Sequence, residues 1–199
     1  KMAEPSRYAV IVDRISHDVP FYRAYLKNAA LDGAYIINNP FWWTADDKFF
    51  NYALMSRLGV AIPKTVLLPQ KAYPADVDIL PASLRNLDFP LDWDALLDYV
   101  GRPAILKPYS GGGWKHVYKV ADKRELLEAY DRTAPYCMTL QQFINFDHYV
   151  RCFTFGKTDI MPVAYDPRQR QYLIIHEYLS AELGARELAR GGGSGRDRS

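Results

Sequence analysis

The chain has 199 residues, 49% hydrophobic and 24% charged, a balance that supports a buried core and excludes a chain too polar to fold. Its 25 Lys and Arg against 23 Asp and Glu leave a net charge of +2, which provides no electrostatic case for nucleic acid or for a membrane surface. No stretch approaches the roughly 18 consecutive apolar residues of a membrane span, and Lys1-Met2-Ala3-Glu4 has no signal-peptide pattern. Cys137 and Cys152 lie in unrelated segments without metal-ligand spacing and read as buried, reduced thiols of a cytoplasmic protein.

In chain order, Arg7 to Val12 reads as a buried strand, Val19 to Leu31 as a helix stopped by Gly33, and Ala34 to Asn38 as a second strand. Strand, helix, strand in that order favours a parallel α/β piece. Asp46 or Asp47 starts a helix through Leu58, with Phe49, Phe50, Ala53, Leu54 and Leu58 as its apolar stripe and Gly59 as its stop. Lys64 to Leu68 is a strand, and the Pro- and Asp-rich stretch from Pro69 to Pro90 reads as loop with short helix. Trp93 to Val100 is a helix ending at Gly101, Ala104 to Lys107 a strand, and His116 to Val120 its return strand. Lys123 to Arg132 is a helix. Met138 to Ile144, Tyr149 to Phe155, Asp159 to Ala164 and Tyr172 to Ile175 are strands, and Ser180 to Arg190 is a helix. The tail Gly191 to Ser199 has the composition of a flexible Gly/Ser linker.

The stretch with the most chemistry is Ile105-Leu106-Lys107-Pro108-Tyr109-Ser110-Gly111-Gly112-Gly113-Trp114-Lys115-His116. Three consecutive glycines are costly to order in a plain turn, whereas backbone N–H groups without side chains can close on an anion. Lys107, flanked by Ile105 and Leu106, projects from its strand, and a partly buried ammonium there calls for an anion; a surface lysine at a strand end is the plainer reading. Leu140 to Ile144, running into Asn145-Phe146-Asp147, offers backbone groups to a base edge and a carboxylate to ribose hydroxyls, although Asp147 is equally suited to a turn. The G-x-x-x-x-G-K-[ST] phosphate loop is not met, since Lys115 follows Trp114 and precedes His116.

Asn38-Asn39-Pro40 with Asp47-Lys48, Gly59-Val60-Ala61-Ile62-Pro63, the Lys107 strand with its glycine loop, Gln141-Gln142-Phe143-Ile144, and His148 to Gly156 together resemble the ATP-grasp superfamily, nearest to bacterial glutathione synthetase and related carboxylate–amine ligases. The resemblance covers roughly residues 34 to 165. It implies an α/β (α+β) fold of two lobes clasping a nucleotide: a partial N-terminal piece over 1–40, a lid lobe over 41–145, the start of a catalytic lobe over 146–190, and the tail over 191–199. It further implies ATP and Mg²⁺ as cofactors, and small-molecule or peptide carboxylate and amine substrates joined through an acylphosphate. Under it, Lys48 and Lys107 reach the phosphates, and Gly111, Gly112 and Gly113 form the closing loop. Gln142, Phe143 and Ile144 line the adenine slot, Asp147 sits near the ribose, and Arg151 points at the reacting centre. An arginine buried on an apolar strand is hard to explain without an anion, which fits that last assignment.

Two departures stand out. Trp114, Lys115 and His116 follow the glycines where relatives carry small residues, so Trp114 could cap the nucleotide. The family's late acidic magnesium ligands have no counterpart in 180–199, which makes the chain look like a fragment that lacks the metal-binding segment. An ATP-grasp kinase acting on a hydroxyl compound and a non-catalytic nucleotide-binding module are the competing readings. Phe41-Trp42-Trp43 reads as packing before it reads as substrate stacking. Asp13-Arg14 ends the first strand, where α/β ligands often bind or where a local ion pair would suffice. His17, His116, His148 and His176 have no metal-site spacing, and His176-Glu177 is either a buried pair or a solvated edge.

Overall fold

A computed structural model describes residues 4–41, 47–73, 78–79, 87, 90–155, 158–168 and 171–172. Trp42, Trp43, Asp46, most of 69–90, His176, Glu177, the helix expected over Ser180 to Arg190 and the Gly/Ser tail lie outside them. The chain divides into two compact units, Lys1–Leu54 with Pro63–Phe143 and Met55–Ile62 with Ile144–Ser199. None of the described helices is long and apolar enough to cross a membrane.

The first unit opens as expected. Strand β1 (Val10–Val12) leads through helix α1 (Pro20–Leu31) into β2 (Tyr35–Ile37), and the two strands pair in parallel with Ile11 opposite Ile36. Pro20 occupies the first helical turn, where its missing N–H costs nothing, and Gly33 at φ +94° ends the helix in the left-handed region. The expected burial of the first strand is corrected: Val10 and Val12 are 56% and 61% exposed. Alternation puts them on the face opposite the partly buried Ile11. Asp13, 8% exposed, closes the turn between β1 and α1. Its carboxylate accepts from the backbone N–H groups of Ile15 at 3.0 Å and Ser16 at 2.9 Å, and from the Ser16 hydroxyl. It does this instead of pairing with Arg14. Burial alone would raise its pKa, but the three hydrogen bonds outweigh that and hold it below the usual aspartate range.

The core lies in the four-stranded antiparallel sheet β3-β6-β4-β5, formed by β3 (Thr65–Leu68), β4 (Ala104–Pro108), β5 (Tyr118–Val120) and β6 (Met138–Gln142). Helices α3 (Trp93–Val100) and α4 (Lys123–Arg132) have the limits that the sequence predicts. Asp92 and Asp122 cap them by accepting from Ala95 N and Glu125 N at 3.0 and 2.8 Å, so each helix start is written into its sequence. Leu97 and Val100 of α3, and Leu126, Ala129 and Tyr130 of α4, pack with Leu68, Ala104, Leu106, Val120, Met138 and Leu140 of the sheet. The Tyr130 ring meets Trp93 edge-on at 5.1 Å, and its hydroxyl donates to Pro69 O at 2.6 Å, which satisfies the one polar atom the ring brings inward.

Helix α2 (Lys48–Arg57) corrects a second expectation. Its supposed apolar stripe faces outward at Phe50, Ala53, Leu54 and Leu58, and none of its residues is fully buried. Lys48 and Tyr52, one turn apart, instead bond to β4 and the loop after it, so polar anchors set the helix's rotation.

The second unit carries the antiparallel sheet β7-β8-β9: β7 (Val150–Phe155), β8 (Asp159–Asp166) and β9 (Gln171–Tyr172). Arg151 opposes Val163 across β7 and β8.

Leu106, fully buried between sheet and helices, is the residue to test for the core: Leu106→Ala is expected to cost about 2–5 kcal/mol in denaturant unfolding. For Asp13, a folded pKa below the unfolded one stabilises the fold above the ordinary aspartate range, and that contribution is lost as pH falls through the lowered value. An NMR titration should find the Asp13 carboxyl carbon titrating below the ordinary aspartate range. A midpoint within that range would remove this account of the turn.

Candidate functional site

Strand β4 runs directly into the glycine loop. Gly111 and Gly113 adopt φ of +78° and +70°, and Trp114 and His116 follow at +62° and +55°. Left-handed geometry at a tryptophan and a histidine is unfavourable for residues with a Cβ and marks a loop held by more than local preference. His116 is anchored by its ring against Tyr136, with centroids 4.7 Å apart. Gly112 differs from its neighbours in that its φ is not positive, and at all three glycines an added Cβ would meet nothing within 4 Å. Neither backbone strain nor crowding therefore explains a glycine at 112.

Lysines border this loop from two directions. Lys48, the first residue of α2, donates from its backbone N–H to Tyr109 O at 2.7 Å and from Nζ to Gly111 O. Lys107 is half-buried on β4, and its Nζ donates to Tyr52 Oη at 2.9 Å and to Gln141 Oε1 at 2.8 Å, with the Tyr52 ring centroid 5.2 Å away. Its described protein partners are thus neutral oxygens. Among the described residues no carboxylate pairs with it.

Gln141 was not a candidate from the sequence, which favoured its neighbour Gln142. Strand alternation carried the signal: with Leu140 in the core, Gln141 must face the opposite side, beside Lys107. Gln142 closes the sheet instead, its N–H donating to Lys64 O at 2.8 Å and its Oε1 accepting from Lys64 N at 3.3 Å. Strand β6 ends there, so the backbone of Phe143 and Ile144 lies beyond the ladder. The Lys119 ammonium stands 4.0 Å over the Phe143 ring, and Ile144 is exposed. Within the first unit Lys48 meets Gly111 directly and Lys107 meets Tyr52 of the same helix, with Gln142 and Phe143 at the far end of the β4–β6 pair.

Asp147 and Arg151 belong to the second unit. Asp147 is an exposed loop residue. The expectation of a buried Arg151 is corrected: the residue is exposed, and its guanidinium stacks over Tyr165 with 4.2 Å to the ring centroid. The cysteine reading is corrected in the same way. Cys152 is exposed, while Cys137 is half-buried, its Sγ donating to Leu68 O at 3.4 Å. Burial pushes the Cys137 thiol pKa up, and the nearby charge of Asp47 adds to the shift. A groove of about 360 Å³ opens at the foot of the glycine loop, lined in part by Tyr109, Ser110, Tyr136 and Cys137. Among the described residues no group of three or more His, Cys, Asp or Glu could hold a metal ion.

Solved structures are similar to this chain in fold. A carboxyaminoimidazole ribonucleotide synthase from Aspergillus clavatus, complexed with ATP, matches 92% of the chain with a TM-score of 0.60 at 16% identity. The D-alanine-D-alanine ligase of Helicobacter pylori matches 89% with a TM-score of 0.51 at 18% identity. A RimK domain ATP-grasp protein of Sphaerobacter thermophilus matches 73% with a TM-score of 0.50 at 13% identity. The fold is ATP-grasp. The chain spans 45%, 46% and 51% of those three proteins, respectively. No family model and no curated protein sequence matches it. Within the ATP-grasp fold of this chain, the four-stranded sheet carries both the glycine loop and Lys107.

Glycine substitutions separate the loop's geometry from its use. Gly113→Ala, at positive φ, is expected to cost about 1 kcal/mol in thermal unfolding, whereas Gly112→Ala should leave stability within about 0.5 kcal/mol. If Gly112 exists for close backbone approach to a ligand, Gly112→Ala will lower ligand affinity at unchanged Tm. Unchanged affinity would assign Gly112 no binding role.

Proposed function

We propose that this chain binds ATP through Lys48, Lys107 and the glycine loop, and that it belongs to an ATP-dependent carboxylate–amine ligase. The observation that carries the reading is the Lys107 ammonium, held among the described residues on neutral oxygens, on a strand that runs into a loop of three glycines with bare backbone. A cation so placed is suited to an incoming polyanion, because phosphate oxygens are stronger acceptors than a phenol or an amide. Lys48, now bonded to Gly111 O, is within reach of the same loop. Phe143 supplies an apolar ring for the adenine, and the backbone of Phe143 and Ile144, beyond the β6 ladder, would serve its edge. For Asp147 and Arg151 the proposal rests on the resemblance alone: ribose hydroxyls for the first, charge stabilisation at the reacting centre for the second.

In the ligase reaction the γ-phosphoryl group passes to a substrate carboxylate, giving an acylphosphate and ADP. An amine then attacks the acyl carbon and expels phosphate as the amide forms. Positioning and charge neutralisation dominate such a transfer, and lysines on the phosphates provide both.

Calorimetric titration with ATP tests the reading. The unaltered chain should bind, and Lys107→Ala should weaken binding about 10- to 100-fold, the range for losing a charged hydrogen-bonding partner. Equal affinity in both chains would remove Lys107 from the site. Release of ADP coupled to amide formation would establish the ligase, and a phosphoester product would replace it with a kinase.

A further inference from the structure

The partners of Lys107 form a directed chain. Thr65 Oγ1 donates its single proton to Pro63 O at 2.9 Å, so toward Gln141 it can only accept. Gln141 Nε2 donates to it at 2.8 Å, which fixes the amide's orientation and turns Oε1 toward Lys107. Tyr52 completes the cradle from α2 with its hydroxyl and ring. Gln141 is buried, so this arrangement is shielded from water on the sheet side. A carboxylate at 141 would fit the same space and still accept from Lys107, but it would neutralise its charge.

We infer that Gln141 and Tyr52 are specificity-determining residues that keep Lys107 positioned yet electrically unpaired, so that the site ranks ligands by the negative charge of their phosphate chain. The inference rests on the nucleotide reading above. It predicts steep gains in affinity from AMP to ADP to ATP, and appreciable binding of inorganic tripolyphosphate, which has no base. Thr65 acts at one remove, by holding the amide of Gln141.

The test is calorimetry on the full chain in magnesium-free buffer with AMP, ADP, ATP and tripolyphosphate. Gln141→Glu places an opposite charge in contact with Lys107, where the Coulomb term is large. It should weaken ATP and tripolyphosphate about tenfold or more while changing AMP much less, so that the AMP-to-ATP ratio of Kd values shrinks. Added salt should narrow the difference between the two chains. Tyr52→Phe keeps the ring and removes one acceptor. It should weaken ATP several-fold more than AMP, and it decides the matter if the glutamate variant does not fold. An unchanged AMP-to-ATP ratio in the folded variants would overturn the inference and leave the nucleotide reading intact. No binding of any of the four by the unaltered chain would overturn both.

Discussion

The register of β4 against β6 is the constraint on which the first unit depends. With Leu106 opposite Leu140, the pairs Lys107–Thr139 and Ile105–Gln141 fall on the other face of the sheet. Because side chains alternate, a slip of one residue would drive the Lys107 ammonium among Leu97, Val100 and Leu126 and turn Leu106 to the opposite, polar face. Burying an unpaired charge costs far more than the packing of one apolar side chain returns, so the hydrophobic core and the functional cation specify each other's position. The packed helices α3 and α4 therefore bear on the chemistry, although neither supplies a candidate functional residue.

The opposite face is organised by polar contacts. Lys48 and Tyr52 of α2 hold the loop and Lys107, while Gln141 and Thr65 hold Lys107 from the sheet. The helix is short of buried apolar surface, and what orients it is a pair of polar contacts one turn apart. Such a helix contributes little to global stability but fixes two cations relative to one loop, which suits a site better than a core.

Much of this was legible in the sequence because it is local. The limits of α3 and α4 follow from Asp92 and Asp122 as caps and from Gly101 as a stop, and parallel pairing of the first two strands follows from strand, helix, strand order. The ATP-grasp fold was likewise visible in the order of short motifs. What escaped is which face is covered. Periodicity says that Val10 and Val12 share a side, or that Phe50, Leu54 and Leu58 do, but tertiary packing decides whether anything lies over that side. The same gap explains Arg151, whose partner Tyr165 sits across a strand pairing that one sequence does not reveal, and Gln141, whose neighbour Lys107 is 34 residues away.

The two thiols have different accessibilities, which makes the chain a convenient object for spectroscopy. Cys152 is exposed on β7 and open to an alkylating dye, whereas Cys137 is half-buried with a raised pKa and holds less of its reactive thiolate at neutral pH. Modification should therefore proceed in two kinetic phases, the slow one reporting from the foot of the glycine loop. With Cys152 replaced, a fluorophore on Cys137 would stand beside Tyr109 and Ser110 and register movement of the loop without a probe inside it.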